Sequence, residues 1–266
     1  MKKILMSLFV AVALVVPVQA ATYDAASKVP TVGEKLLTKS GISATNVKFT
    51  VVSGAVDNSN YATDRVVNVS SSELSYAGND NEVAAVVANE LGHIISGHAS
   101  KGKVVSLFTG GTTASSDSAT SSLLSNYKYT KEEKEADIIA TNLMVTAGYN
   151  PLAIIVVLTK QTGTYWEAIQ GKPANAERAM NVYNYISYAY PDKIKAGYGC
   201  NEYRTFVAYA TPIVKDRDAN KKQASKNEKE QAKALKNSTS QLTKFKTRGG
   251  LSGWDAAFEL LNTSQQ

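Results

Sequence analysis

The sequence predicts a mainly helical α+β fold with a small sheet, and two kinds of segment support this prediction. Apolar residues recur at helical spacing from Asp80 to Ala99 and in several later segments. Two valine-rich stretches, residues 47–54 and 64–71, alternate instead as strands do. The chain has 266 residues, of which 44% are hydrophobic, so it can build one large domain, alone or with an appendage.

The first predicted helix runs from Thr31 to Gly41. Thr31 and Glu34 have the spacing of a capping box, in which each side chain accepts a hydrogen bond from the other residue's backbone N–H. Gly41 can adopt the left-handed conformation that ends many helices. A short helix is therefore expected ahead of the two strands.

A long helix is predicted from Asp80 to Ala99. Asn79 is a suitable cap for its first turn, and Glu82 is the capping partner three residues later. Apolar residues at steps of three and four place one face of this helix toward a core. The members of this stripe are Val83, Val86, Val87, Ile94 and Ile95.

Three further helices are predicted after a loop. Residues 104–126 are mostly Ser, Thr, Gly and Ala, which is typical of a mobile surface loop. A strong helical pattern then runs from Thr130 to Gly148, and Asn150 with Pro151 opens the next helix. A fourth helical segment covers residues 175–190.

The first twenty residues are typical of a secretory signal peptide. Lys2 and Lys3 precede an apolar run at residues 4–16, and residues 18–20 form a small-residue cleavage site. The apolar run is shorter than a membrane-spanning helix requires, so an uncleaved anchor is the less favoured alternative. The mature protein is expected to begin at Ala21 and to be periplasmic or secreted.

The positive charge of the chain is concentrated near its C-terminus. The net charge is +6, but residues 215–248 carry eleven Lys or Arg against four Asp or Glu. The domain predicted at residues 21–214 is consequently close to neutral, and no nucleic acid is expected as a partner. Its single cysteine, Cys200, excludes an intramolecular disulfide and is expected to be a small buried hydrophobe.

Two segments follow that domain. Residues 215–248 are polar and basic, and a solvated helix or a partly disordered linker is expected there because large apolar residues are scarce. Residues 249–266 form a short amphipathic piece, which needs a surface to remain helical. We expect this piece to dock on the domain, on a partner or on an anionic envelope surface. Its apolar stripe consists of Leu251, Trp254, Phe258 and Leu261.

The long helix has the pattern of a zinc-peptidase helix in which one ligand is changed. In a His-Glu-x-x-His helix, two histidines four residues apart bind one metal ion, and the Glu acts as general base on metal-bound water. Here Asn89 stands in the first ligand position, Glu90 in the base position and His93 in the second ligand position. Taken alone, this spacing also fits an ordinary surface Glu and His.

A second pair of candidates lies on the later helix. Glu133 and Asp137 are four residues apart, so they share one helical face. One of them could supply a third ligand, and the other could orient a ligand residue from behind. The alternative is that Glu133 is only the capping-box partner of Thr130.

Three motifs, in this order, resemble the heat-shock and prenyl-protease type of zinc metallopeptidase, metallopeptidase family forty-eight of the gluzincins. EVAAVVANELGHIISGHAS resembles the active-site helix of that family, and YTKEEKEADIIATNLMVTAGYNP resembles its third-ligand helix. GKPANAERAMNVYNYISYAYP resembles the next element, where the family has His-Pro followed by an Arg. The similarity covers residues 47–191. It implies a zincin-like α+β domain, peptide-bond hydrolysis and one zinc ion per chain.

The resemblance also implies a role for each matching residue. Asn89, His93 and Glu133 would be the metal ligands, Glu90 the general base, and Asp137 a carboxylate behind the ligands. An amide oxygen is a poorer zinc donor than the imidazole it replaces, so zinc is expected to be weakly bound or absent, or replaced by a harder ion.

A second departure from the family pattern falls at Lys172, which stands where the family has a histidine, while Arg178 matches the Arg of that motif. Lys172 is taken, with Glu90, as a candidate catalytic residue. Its ammonium group could supply the counter-charge that Glu90 and Glu133 need when no metal lies between them. A solvated surface lysine is the alternative.

Two functions remain open at this point. One is an exported metallopeptidase that hydrolyses envelope or unfolded proteins with a zinc-activated water. The other is a pseudopeptidase, which uses the same fold to bind a peptide or a partner protein without cleaving it. A polypeptide substrate or partner is expected in both cases, and the presence of bound zinc distinguishes them.

Overall fold

The computed structural model of the chain describes residues 23–101, 118–161 and 173–264. The predicted signal peptide, residues 104–117 of the predicted loop, and Lys172 lie outside the described residues. The named elements are, in chain order, α1 (Ala25–Lys39), β1 (Lys48–Val52), α2 (Tyr61–Asp64), β2 (Val66–Ser70), α3 (Ser71–Leu74), α4 (Asp80–Ser96), α5 (Ser118–Thr146), α6 (Ala153–Lys160), α7 (Pro173–Ala189), α8 (Pro191–Ala196), α9 (Asn201–Ala219), α10 (Lys221–Thr247) and α11 (Gly253–Thr263).

The small sheet confirms the predicted α+β class. Both strands lie inside the predicted valine-rich stretches, and they pair in parallel with Lys48 beside Val66. Alternate residues of β2, Val67 and Val69, are fully buried and anchor the sheet on the helices. Because the strands are parallel, their carboxyl ends open on the same side of the domain.

Helix α4 is the central element of the fold and packs against α1, α5 and α6. Its predicted cap is confirmed, since the Asn79 side chain accepts hydrogen bonds from the backbone N–H groups of Asn81 and Glu82. The predicted end at Ala99 is wrong by three residues. The helix ends at Ser96 because Gly97 adopts a left-handed conformation, with φ of 66°.

Helices α4 and α5 approach each other closely at Gly92. A β-carbon at this position would overlap the backbone carbonyl of Ala136 on α5. Only glycine therefore permits the two backbones to lie this near, and the side chains that flank the contact on both helices are brought together.

The predicted start of the first helix at Thr31 is also wrong. Helix α1 begins at Ala25, where the Asp24 side chain accepts a hydrogen bond from the third residue of the helix, and it continues through Pro30. The physical reason is an apolar stripe that extends before the proline and is buried throughout. The stripe consists of Ala25, Val29, Val32 and Leu36.

Helix α5 begins at Ser118 and not at the predicted Thr130. Residues 118–126, which the sequence predicts as part of a loop, are therefore helical. Extending an existing helix costs less free energy than starting one, so a segment of modest helix propensity can continue the strong helix that follows it.

The basic segment was expected to be either a solvated helix or a partly disordered linker, and most of it forms helix α10. It packs along α5, α7 and α9, and its buried residues, Gln231, Ser238 and Phe245, recur at steps of seven on one face. Helix α9 runs without interruption across residue 214, where the sequence predicts a domain boundary.

The amphipathic C-terminal piece docks on the domain, which is the first of the three surfaces expected for it. Asp255 is only 1% exposed and forms a capping box with Ser252. Its carboxylate also accepts a hydrogen bond from the hydroxyl group of Ser100, just beyond α4. In the connecting turn, the carbonyl of Gly250 accepts a hydrogen bond of 3.2 Å from Arg65.

None of the helices in the described ranges has both the length and the apolar character needed to cross a lipid bilayer.

We predict that Asp255→Ala lowers the free energy of unfolding by about 1–3 kcal/mol, because it removes a helix cap and leaves the Ser100 hydroxyl unsatisfied. Deletion of residues 251–266 should lower it further, and urea denaturation measures both effects. Glu259→Ala, on the exposed face of the same helix, is the matched control and should change stability little. Equal effects of the two alanine variants would contradict internal docking.

Candidate active site

A cleft of about 610 Å³ lies in the described part of the domain. Helix α4 contributes Asn89, Glu90 and His93 to its lining, and α5 contributes Glu133. The remainder of the lining includes the segments that follow the two strands, among them residues 54–56 after β1. Four of the predicted site residues therefore border one cleft.

Glu90 is held in this cleft by a residue that the sequence did not single out. The Asn58 side chain donates a hydrogen bond of 2.8 Å to Glu90 Oε2. Asn58 is itself fixed to β2, because it accepts a hydrogen bond of 2.7 Å from the backbone N–H of Asn68. The sheet thus orients the candidate general base, through a contact that spans 32 residues of sequence.

A second carboxylate, that of Glu73, also lines the cleft and was not predicted. Burial raises the pKa of Glu73 above its usual range. Burial, together with the charge of Glu73, raises the pKa of Glu90 to about 8. Two acids in one partly desolvated cleft favour the protonated form of Glu90 at neutral pH.

His93 and Glu133 meet across the cleft. His93 Nε2 lies 3.2 Å from Glu133 Oε1. Burial opposes the charged imidazolium, but the hydrogen bond to Glu133 and the nearby carboxylates outweigh it and raise the pKa of His93. Burial alone would raise the pKa of Glu133. The hydrogen bond to His93 and the charge of Arg178 have the larger opposite effect, so its pKa is lowered. The pair is therefore a partly buried contact in which each group stabilises the charged form of the other.

The second histidine, His98, also belongs to the cleft. Its Nδ1 lies 3.0 Å from Nδ1 of His93. An unbroken helix would place His98, five residues after His93, on another face. The left-handed turn at Gly97 breaks that spacing and returns the ring to its partner.

Hydrogen-bond chemistry assigns the protons in this contact. His98 Nε2 lies 3.3 Å from Glu135 Oε2, and an ionised carboxylate can only accept, so this nitrogen carries a proton. Burial lowers the pKa of His98, which favours its neutral form. Its Nδ1 is then an acceptor, and His93 Nδ1 must be the donor. This leaves His93 Nε2 as the nitrogen that faces Glu133.

The chain of contacts continues into the C-terminal region. Glu135 accepts a further hydrogen bond from the side chain of Gln241 on α10. The hydrogen bonds from His98 and Gln241 hold the pKa of Glu135 at about 2. Helix α10 is thus connected to His93 through two intervening side chains.

Arg178 lies behind the cleft and joins its carboxylates. Its Nε and Nη2 each donate a hydrogen bond of 2.8 Å to Asp137, and Nη2 lies 2.9 Å from Glu133 Oε2. Asp137 has no exposed surface, and Arg178 is only 8% exposed. The guanidinium group therefore neutralises two buried carboxylates, in the two-pronged geometry that suits arginine.

Asn89 also contacts Asp137, through a 2.9 Å hydrogen bond from its Nδ2. A carboxylate accepts hydrogen bonds only, so the amide nitrogen must be the group directed at Asp137. Asn89 thus serves as a hydrogen-bond donor to the same carboxylate that Arg178 neutralises.

The described side chains do not fit the donor set of a catalytic zinc ion. Such an ion takes three protein ligands, usually imidazole, carboxylate or thiolate, and leaves one position for water. Within the described ranges, no group of three His, Cys, Asp or Glu side chains is arranged to hold a metal ion. His93 and Glu133 supply two donors, but the third position has the amide of Asn89.

Comparison with known proteins gives two findings. The sequence profile of Peptidase family M48 matches residues 24–186 of this chain. Metalloprotease LoiP of Escherichia coli strain K12 is 28% identical over 127 residues. That alignment covers 41% of this chain and 50% of LoiP, so the chain spans about half the length of this relative. No solved structure matches the chain.

We predict that Arg178→Met lowers the free energy of unfolding by about 3–5 kcal/mol, because it leaves buried carboxylates without a counter-charge. Arg204→Met, at an exposed position, is the matched control and should have little effect in the same urea titration. Adding Asp137→Leu to Arg178→Met should recover part of the loss. A loss as large in the control, or no recovery, would contradict the assignment.

The raised pKa of Glu90 predicts a pH dependence of stability in protein treated with a chelator. Between its ordinary value of 4.5 and about 8, the folded state binds this proton more tightly than the unfolded state does. The stability from Glu90 is therefore complete below the lower pKa and is lost as pH rises through the higher one.

Glu90→Gln cannot titrate, so its unfolding free energy should decline less than that of the wild type across this window. Glu34→Gln, an exposed change on α1, is the control and should follow the wild-type curve. Parallel curves for wild type and Glu90→Gln would show that Glu90 ionises normally.

Proposed function

Because the chain belongs to Peptidase family M48, we propose that it is an exported protein that binds polypeptide in the peptidase cleft and does not cleave it with a zinc-activated water. This is the function of a pseudopeptidase. The partner is an extended segment of a polypeptide or of an unfolded protein.

The observation that carries the proposal is the hydrogen bond between Asn89 and Asp137. In the first ligand position, the amide nitrogen donates to a buried carboxylate at 2.9 Å. The same side chain offers an ion only a neutral carbonyl oxygen, which is a weak donor for zinc compared with imidazole. Asn89 therefore makes a structural hydrogen bond in the position where the family has a metal ligand.

The charges of the site support the same proposal. Starting from His93, groups of opposite charge follow one another through Glu133, Arg178 and Asp137 at distances of 2.8–3.2 Å. Buried charges are stable only when they are paired in this way. The carboxylate of Glu133 already has two cationic neighbours, so it does not need a metal ion for neutralisation. Lys172 remains a further candidate counter-charge for the cleft.

The cleft is suited to an extended peptide. Residues that follow both strands line it, and Asn58 and Ser72 bring polar side chains to its wall. A peptide that lies beside a sheet gains affinity from main-chain hydrogen bonds, and pockets for alternate side chains give selectivity.

Export is proposed on the N-terminal segment. Its two lysines, apolar run and small-residue site have the order of a secretory signal, with cleavage near Ala20 and Ala21.

Zinc-dependent peptide hydrolysis is the second candidate, and one distance favours it. His93 Nε2 and Glu133 Oε1 lie 3.2 Å apart, a separation that two ligands of one zinc ion can have. Glu90 follows Asn89 directly, as a general base does in the family motif, and the relative LoiP is named a metalloprotease.

Replacement of Asn89 distinguishes the two candidates. Wild-type protein should bind fluorescently labelled unfolded casein by anisotropy, carry far less than one zinc per chain by elemental analysis, and release no fragments. Asn89→His should raise the zinc content toward one per chain, and Lys172→His in addition should raise it further. The reason is that an imidazole restores the three-ligand set.

Asn262→His adds a histidine on the exposed C-terminal helix and controls for adventitious zinc. Glu90→Gln should leave casein binding intact. The proposal fails if the wild type carries one zinc per chain and cleaves casein in a reaction that Glu90→Gln abolishes.

A further inference from the structure

Helix α10 carries a line of lysines that we call the basic ridge. Successive members are four, three, four and three residues apart, and at 100° per residue they fall within an arc of about 80°. The line extends for about 21 Å along the helix at 1.5 Å per residue. Its members are Lys222, Lys226, Lys229, Lys233 and Lys236.

The ridge points away from the domain because the opposite face of α10 is fixed. Gln231, Ser238 and Phe245 are 4%, 2% and 1% exposed. The side chain of Asn142 on α5 donates a hydrogen bond of 2.9 Å to the Ser238 hydroxyl. The helix therefore cannot rotate to redistribute its charges without breaking these contacts.

The five ammonium groups are exposed and almost without partners inside the chain. Lys226 lies 3.8 Å from Glu230 in an exposed pair. Across the described part of the chain, the other four form no ion pair. Like charges three and four residues apart on a helix repel each other. An external anionic surface would relieve this repulsion.

We propose that the basic ridge docks this protein on an anionic phospholipid membrane surface. Lysine ammonium groups are strongly hydrated point charges, which suits delocalised attraction to many headgroups more than fixed pairing with one. A row on one face of a single helix can bring all five charges near a flat surface at the same time. Each lysine near such a surface adds to the attraction.

The chemistry of the ridge disfavours a single-stranded nucleic acid as its occupant. Proteins that bind single strands combine basic grooves with aromatic side chains on which bases stack. The only aromatic residue of α10 is Phe245, which is buried and stacks on Tyr61. The ridge is also convex, whereas such nucleic-acid sites are grooves.

Co-sedimentation with vesicles tests this proposal. The protein should begin at Ala21, so that the apolar N-terminal run does not bind lipid itself. It should bind vesicles of phosphatidylglycerol mixed with phosphatidylcholine, not bind pure phosphatidylcholine, and lose binding as salt is raised. Lys226→Gln, Lys229→Gln and Lys233→Gln together should weaken binding roughly a hundredfold, at about fivefold for each lysine.

The matched control removes the same charge elsewhere, with Lys28→Gln, Lys39→Gln and Lys48→Gln, all at exposed positions. It should weaken binding far less than the ridge variant does. Circular dichroism should show both variants folded, because all the replaced lysines are exposed and, at the helical positions, glutamine is as good a helix former as lysine. Equal losses in the two variants, or no vesicle binding by the wild type, would overturn the proposal. Binding of duplex DNA without vesicle binding, lost in the ridge variant, would overturn it in favour of a nucleic acid.

Discussion

The close contact of α4 with α5 at Gly92 is the constraint on which the site depends. Because the glycine has no side chain, the backbone of α4 lies directly against the carbonyl of Ala136. On each of the two helices, a pair of polar residues lies next to this contact. Any larger residue would separate the helices, and the contacts between the pairs would be lost. The four flanking residues are Asn89, His93, Glu133 and Asp137.

Bringing these groups together creates an electrostatic problem, since two carboxylates and a third acid, Glu90, are placed in a desolvated region. A peptidase of this family would solve it with a metal ion, whose charge acts from the cleft side. Here the negative charge of the carboxylates is compensated by two protein groups. They are the buried guanidinium group of Arg178, on the side of the carboxylates away from the cleft, and the imidazole of His93. The site can therefore be stable as a set of ion pairs, although such pairs contribute less to stability than their Coulomb energy alone suggests.

Features set by contacts within a few residues could be predicted from the sequence. The cap at Asn79, the left-handed end at Gly41 and both strands depend on neighbours along the chain, and the structure has them. The start of α1 was missed because the capping-box spacing of Thr31 and Glu34 suggested a start that the buried stripe overrides. The start of α5 was missed because composition describes propensity and not the extension of a neighbouring helix.

The site was predictable in part for the same reason. Residues at helical spacing, such as Asn89 and His93, could be placed on one face, and the family resemblance supplied candidates on the second helix. His98 could not be placed, because one glycine in a left-handed conformation changes the direction of every later side chain. Asn58 and Glu73 could not be found either. Their relation to Glu90 arises from packing between segments that are distant in sequence.

The contacts of the C-terminal helices have a consequence for the order in which the molecule forms. Arg65 and Gly250 are 185 residues apart, and Asn142 and Ser238 are 96 apart. Such contacts close late, because the entropy of closing long loops must be overcome first. The α4–α5 pair can assemble from a shorter stretch of chain that does not include α10. The cleft can therefore form before the C-terminal helices dock, while the contact of Gln241 with Glu135, and with it the last support of the His98 ring, requires nearly the whole chain.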